Sequence, residues 1–144
     1  MSFIDLPGTV QEEFNQLMLG EKLGEGAYRE VYEFAPDKSL VVKFELAATL
    51  EFCNVNEWNI WQEVAGTKLE QWFAPCEWIS FSGSVLLQKR TEPLKRLPNK
   101  IPNVLADTKR DNWGRYKGKP VMHDYGNHAF FYRGIKGSRL VNRL

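Results

Sequence analysis

Three short patterns in this sequence carry residue types suited to anions and hard cations. The first, Gly24-Glu25-Gly26, sits between two strand-like stretches. Glycines in such a turn let backbone N–H groups come close to an oxyanion, although paired glycines also close many ordinary hairpins. The second is Lys43, which follows Val41 and Val42 in a run where alternation buries it, and a buried ammonium needs an anionic partner. Glu57 is the first candidate partner and Glu63 the second; the alternative is a solvated edge-strand lysine. A strand lysine held by a helix glutamate can reach phosphate oxygens. The third is Asp107-Thr108-Lys109-Arg110-Asp111-Asn112, followed twelve residues after Asn112 by Asp124-Tyr125-Gly126. Asp, Asn and Gly favour turns, so each fragment taken alone also reads as a turn.

The elements that must position these residues follow from pattern and punctuation. Thr9, after Pro7-Gly8, caps a helix through Val10, Phe14, Leu17 and Met18, with Glu12 completing a capping box. From Leu19 to Glu45 the texture is that of three strands joined by two turns, with Gly24-Glu25-Gly26 in the first turn and Lys43 in the third strand. A helix lies between about residue 48 and residue 66, carrying Glu57, Trp58, Trp61 and Val64. Cys76 to Phe81 and Ser84 to Lys89 form a strand pair turned by Ser82-Gly83. Glu92 to Pro102, with three prolines, reads as a connector, and Lys117-Gly118 turns a short hairpin between Trp113 and His123.

The order of these pieces is what makes them specific. A GxG hairpin, a strand lysine, a helix glutamate, a strand pair, D-x-K-x-x-N and D-Y-G succeed one another over roughly residues 19 to 128. In that order the chain resembles the protein-kinase-like superfamily, in a strongly truncated form of bacterial or phage type. The resemblance implies an α+β fold: a kinase-like N-lobe of five antiparallel strands and one long helix, then a much reduced C-terminal lobe carrying the catalytic loop and a D-Y-G hairpin. We expect one domain over 1–144, with the N-lobe at about 1–91 and the reduced lobe at about 92–144.

It also implies roles. Gly24 and Gly26 would cover the triphosphate of ATP, Val31 would lie over the adenine, and Lys43, held by Glu57, would contact the α- and β-phosphates. The adenine edge would meet backbone at a hinge near Gln88 to Thr91, with Gln88 and Arg90 as its nucleotide-binding positions. Asn112 and Asp124 would hold Mg2+. Asp107 would take or orient the proton of an attacking hydroxyl, and Lys109 would offset charge on the transferring phosphoryl group. The expected activity is phosphate transfer from ATP to a hydroxyl of a protein, of the chain itself or of a small molecule. The alternative is a pseudokinase-type module that engages a host or partner protein without catalysis.

Departures from the family pattern shape both readings. Arg29 stands where many kinases have a third loop glycine, so the loop should be less pliant. Leu105-Ala106 replaces the usual His-Arg, which removes the arginine that reads a phosphorylated activation loop. About fifteen residues separate the hinge from Asp107 and eighteen follow Gly126, so the usual substrate-binding lobe has no room. Support for the catalytic loop would come from the N-terminal helix, from Phe130-Phe131-Tyr132 or from a second copy, which allows a homodimer.

Bulk composition is consistent with these expectations. In 144 residues, 19 basic and 18 acidic side chains give a net charge of +1, so no global field draws the chain to nucleic acid or to a membrane surface. The basic stretch Arg133, Lys136, Arg139 and Arg143 reads as a solvated tail, and the five tryptophans as packing. Cys53 and Cys76 lack metal-site or disulfide spacing and read as reduced thiols. With acids near the N-terminus and no long apolar run, the expected location is cytoplasmic.

Overall fold

The computed structural model describes residues 10–26, 28–45, 52–105, 109–126 and 140–142. Thr9, Asp107, His128, Phe130 to Tyr132 and the basic residues Arg133, Lys136, Arg139 and Arg143 lie outside the described residues. A helix, α1 (Val10–Met18), leads into β1 (Leu19–Glu25), β2 (Arg29–Phe34) and β3 (Leu40–Glu45). After α2 (Cys53–Val64) and a 3-10 turn (Glu70–Trp72) come β4 (Cys76–Ile79) and β5 (Val85–Lys89). These strands form one antiparallel five-stranded sheet in the order β1-β2-β3-β5-β4.

The register decides which side chains share a face. Val31 pairs with Lys43, Arg29 with Glu45, Val41 with Gln88 and Lys43 with Leu86. Directly opposed residues point to the same side of a sheet. Arg29, Val31, Val41, Lys43 and Gln88 therefore stand together.

The helix on which Glu57 sits starts later than its composition suggests. Phe52, with φ 55°, breaks the chain just ahead of Cys53, and no side chain of the helix's own caps it. The Glu45 carboxylate does so instead, accepting N–H bonds from Cys53 (2.8 Å) and Asn54 (2.7 Å). A carboxylate on the first amides satisfies two orphan donors and favours the helix dipole. It also ties α2 to the end of β3. The buried face of α2 then follows the 3.6 period through Cys53, Asn54, Glu57, Ile60 and Val64.

Beyond the sheet, the proline-rich stretch is more than a connector. Its end, β6 (Lys100–Pro102), pairs with β9 (Leu140–Asn142), and Glu92 bridges to Arg115. A 3-10 turn (Arg110–Asn112) opens into the hairpin of β7 (Trp113–Tyr116) and β8 (Lys119–Met122). Lys117 and Gly118 both have positive φ, at 51° and 79°, as a two-residue hairpin turn of this hand requires.

One apolar cluster joins Ile60 and Val64 of α2 to Phe73, Leu86, Trp113, Met122 and Tyr125. The apolar positions of α1 take no part in it: Val10, Phe14 and Leu17 are exposed. Among the described residues no helix is long and apolar enough to cross a membrane.

Candidate functional site

A cavity of about 660 Å³ opens between the β1–β2 loop and the β7–β8 side of the molecule. Its size suits a small-molecule ligand. Leu23, Gly24, Val31 and Val41 line it from the sheet, Gly26 from the β1–β2 loop, Lys89 to Thr91 from the end of β5 and the residues after it, and Asp111, Asn112, His123 and Asp124 from the far side. Of the residues singled out from the sequence, Gly24, Gly26, Val31, Lys43, Gln88, Arg90, Asn112 and Asp124 all border this cavity. Lys109 is exposed and not among its lining residues, and Asp107 is outside the described residues.

Glu57 sits at the back of the site, with no exposed surface. Its carboxylate accepts from Lys43 Nζ at 2.5 Å, from Arg29 Nη2 at 3.0 Å and Nη1 at 3.3 Å, from Gln88 Nε2 at 3.0 Å and from the Tyr125 N–H at 2.9 Å. The partner of Lys43 is thus Glu57, while Glu63 is exposed. Desolvation alone would raise the carboxyl of Glu57; the Arg29 guanidinium and then the Lys43 ammonium outweigh it and hold it well down, at about 2. Lys43 also donates to the His123 carbonyl, which ties β3 to the chain just before Asp124.

Arg29 is the residue that sequence reasoning missed. It is the first residue of β2, 7% exposed, and its guanidinium turns inward. Nη1 donates to Asn54 Oδ1 at 3.1 Å, and Nη2 reaches Asp124 Oδ1 at 2.6 Å as well as Glu57. Burial works against its charge, but Glu57 and Asp124 more than compensate and push its pKa up. The sequence held one available signal. Arg29 stands two residues before Val31, on the same face of a strand whose other inward positions were already in use.

The acidic border is placed by the hairpin. Because β7 and β8 close on a tight turn, the chain returns to the 3-10 turn, and the Asn112 carbonyl accepts the His123 N–H at 2.9 Å. Both His123 ring nitrogens are engaged, Nε2 with the Asp111 carbonyl and Nδ1 with Thr91 Oγ1, each at 2.7 Å. A carbonyl can only accept, so Nε2 carries the proton and Nδ1 accepts from the hydroxyl. Burial and then Lys43 lower the pKa of this ring, in keeping with a neutral imidazole. Tyr125 anchors the segment: it is fully buried, its hydroxyl donates to the Ala74 carbonyl at 2.8 Å, and its ring meets Phe73 edge-on at 4.9 Å. Gly126 packs so closely on the Cys53 carbonyl that a Cβ there would collide with backbone.

Three positions of the expected hinge are already engaged. Gln88 turns its amide to Glu57 and not to the open cavity, leaving Oε1 as the one buried side-chain oxygen without a partner among the described residues. Arg90 donates its backbone N–H to Ser39 O at 2.8 Å and its guanidinium to Glu33 at 2.7 Å. The Lys89 N–H is likewise taken, by Pro75 O at 2.8 Å.

The site suits a polyanion attached to a flat apolar group. A Cβ added at Gly24 or at Gly26 would meet nothing within 4 Å, so the loop leaves open space beside its backbone. Lys43 has three N–H donors, two of them used by Glu57 and His123, and Val31 and Val41 supply apolar walls. The oxygen donors for a hard cation are fewer. Among the described residues no three His, Cys, Asp or Glu side chains cluster as a metal site. Asp124, 46% exposed at its side chain, and Asn112 border the cavity and would fit an ion that arrives already bound to phosphate. No protein-family model matches the chain, and no curated protein matches it.

Proposed function

We propose that the chain is a minimal protein-kinase-like domain that binds ATP in this cavity and transfers its terminal phosphoryl group to a hydroxyl acceptor. The observation that carries the reading is the Lys43–Glu57 pair at the back of a cavity that has Gly24 and Gly26 on one side and Asp124 and Asn112 on the other. A buried lysine held by a buried glutamate presents a fixed ammonium to an incoming phosphate. Open glycine backbone can approach the same group.

On this reading the adenine lies between Val31 and Val41, and the triphosphate extends toward Lys43. A magnesium ion carried in on the phosphates would be held by Asp124 and Asn112 and would offset phosphoryl charge. In the transfer, a bond forms between the acceptor oxygen and the γ-phosphorus as the bond from that phosphorus to the bridging oxygen breaks, and ADP leaves. Asp107 receives the proton of the acceptor hydroxyl.

The pseudokinase-type reading, a nucleotide-holding module that engages a protein partner, is favoured by one contact: Asp124 Oδ1 is occupied by Arg29 at 2.6 Å. Transfer of labelled phosphate from ATP by wild type, Asp107→Asn and Asp124→Asn separates the two. Phosphotransfer predicts a wild-type signal that falls by at least about a hundredfold in Asp107→Asn. Equal background in all three would remove the enzyme and leave the binding module.

A further inference from the structure

Arg29 lines the cavity and has no role in the transfer scheme, although its guanidinium is almost wholly buried there. Arg29 is held by Glu57, Asn54 and Asp124 together, so its guanidinium has no freedom to swing out and return with a ligand. A guanidinium also stays charged at any pH at which the protein folds. Within this ion-pair network two cations, Arg29 and Lys43, face two carboxylates, Glu57 and Asp124.

Asp124 is the member of this set that a polyanion would meet. Its side chain is 46% exposed and borders the cavity, whereas Glu57 is wholly enclosed. An uncompensated carboxylate there would repel a triphosphate, and a divalent ion between the two would be needed to join them. Here the protein supplies a cation of its own on that carboxylate, at 2.6 Å.

We infer that Arg29 is a resident cation at Asp124, and that a nucleoside triphosphate therefore binds this cavity without a divalent metal. The inference rests on the nucleotide reading above and adds a property to it. Arg29 acts through Asp124 as a positioning residue; the phosphates themselves meet Lys43 and the loop backbone. Magnesium can still enter with the nucleotide, but it finds its carboxylate already neutralised and adds little affinity.

Calorimetric titration of the full chain with ATP, once in EDTA and once in millimolar magnesium, tests this. The two affinities of the wild type are expected within about tenfold of each other. Arg29→Met should lose at least about tenfold in EDTA and recover in magnesium, because the metal then takes the place of the guanidinium. Arg29→Lys should keep part of the metal-free binding. Circular dichroism and thermal unfolding establish that each variant is folded.

If Arg29→Met does not fold, Asp124→Asn gives the answer: with the opposing carboxylate gone, metal-free binding should tighten by about threefold or more. Wild-type binding that appears only with magnesium would overturn the inference and leave the nucleotide site standing. Weaker metal-free binding by folded Asp124→Asn would overturn it equally. No binding under either condition would remove both the inference and the nucleotide reading.

Discussion

Arg29 and Asp124 are 95 residues apart in the chain, yet the Arg29 guanidinium lies 2.6 Å from the Asp124 carboxylate. The contact joins the first residue of β2 to the segment after β8. Glu57 of α2 accepts from the same guanidinium and from Lys43 of β3, so four elements of the fold meet through one set of charges. Three of these side chains, Arg29, Lys43 and Asp124, also line the cavity.

The first consequence concerns Glu57. Removing one member of a buried ion pair leaves the other charge uncompensated, at a cost of about 3–5 kcal/mol. Glu57→Ala would leave Lys43 a buried cation without its carboxylate and Arg29 with Asp124 alone, so it should fall in this range, and Glu57→Gln somewhat below. Urea unfolding followed by circular dichroism measures both. A loss under about 1 kcal/mol would show that the network carries little of the stability.

Acid stability follows from the same residue. The Glu57 carboxyl is held at about 2 in the fold against an ordinary value of 4.5, so its contribution is complete above about pH 4.5 and is lost as pH falls through about 2. His123 acts at higher pH with the same sign. Its folded pKa lies below 6.5, so the unfolded chain binds the extra proton first, and stability declines as pH drops below 6.5. His123→Gln should flatten the decline just below pH 6.5 and leave the one below pH 4.5. A slope unchanged by the substitution would assign that titration elsewhere.

How much of this was legible beforehand depends on the kind of signal. Strands β1 to β5, the helix with Glu57 and the hairpin at Lys117-Gly118 were written in alternation, in apolar spacing and in turn residues. The start of α2 was not, because its cap comes from Glu45 on a strand and local propensity does not report a long-range cap. Pairing of β6 with β9 was hidden for the same reason: three residues among prolines carry no period. At the site, Lys43 and Glu57 were visible because a charge in an apolar run demands a partner. Arg29 was read by its place in a loop pattern, and that pattern concealed its place on the inner face of β2.

The glycines separate packing from ligand space. Gly126→Ala would drive a Cβ into the Cys53 carbonyl and should cost about 1–3 kcal/mol, since backbone on both sides must move. Gly24→Ala meets nothing, and stability should stay within about 0.5 kcal/mol. If the open space beside Gly24 is where phosphate lies, the same alanine weakens ATP binding. Denaturant melts and ATP titrations of the two variants should therefore give opposite patterns.

The cysteines should be inert. Burial is the main cause that pushes the Cys76 thiol up to about 12 and the Cys53 thiol up to about 11, and both side chains are buried. A thiol reagent at pH 8 should modify neither in the native protein and both after unfolding. Fast reaction of Cys53 in the folded state would mean that the end of α2 beside the cavity opens.

Thermal unfolding of the wild type and of Lys43→Met, with and without ATP, bears most directly on the central claim. At 100 times its dissociation constant ATP should add about 2.7 kcal/mol to the stability of the wild type, and at the same concentration almost nothing to that of Lys43→Met. An unchanged unfolding temperature of the wild type in millimolar ATP, both with magnesium and in EDTA, would contradict the assignment of this cavity to a nucleotide.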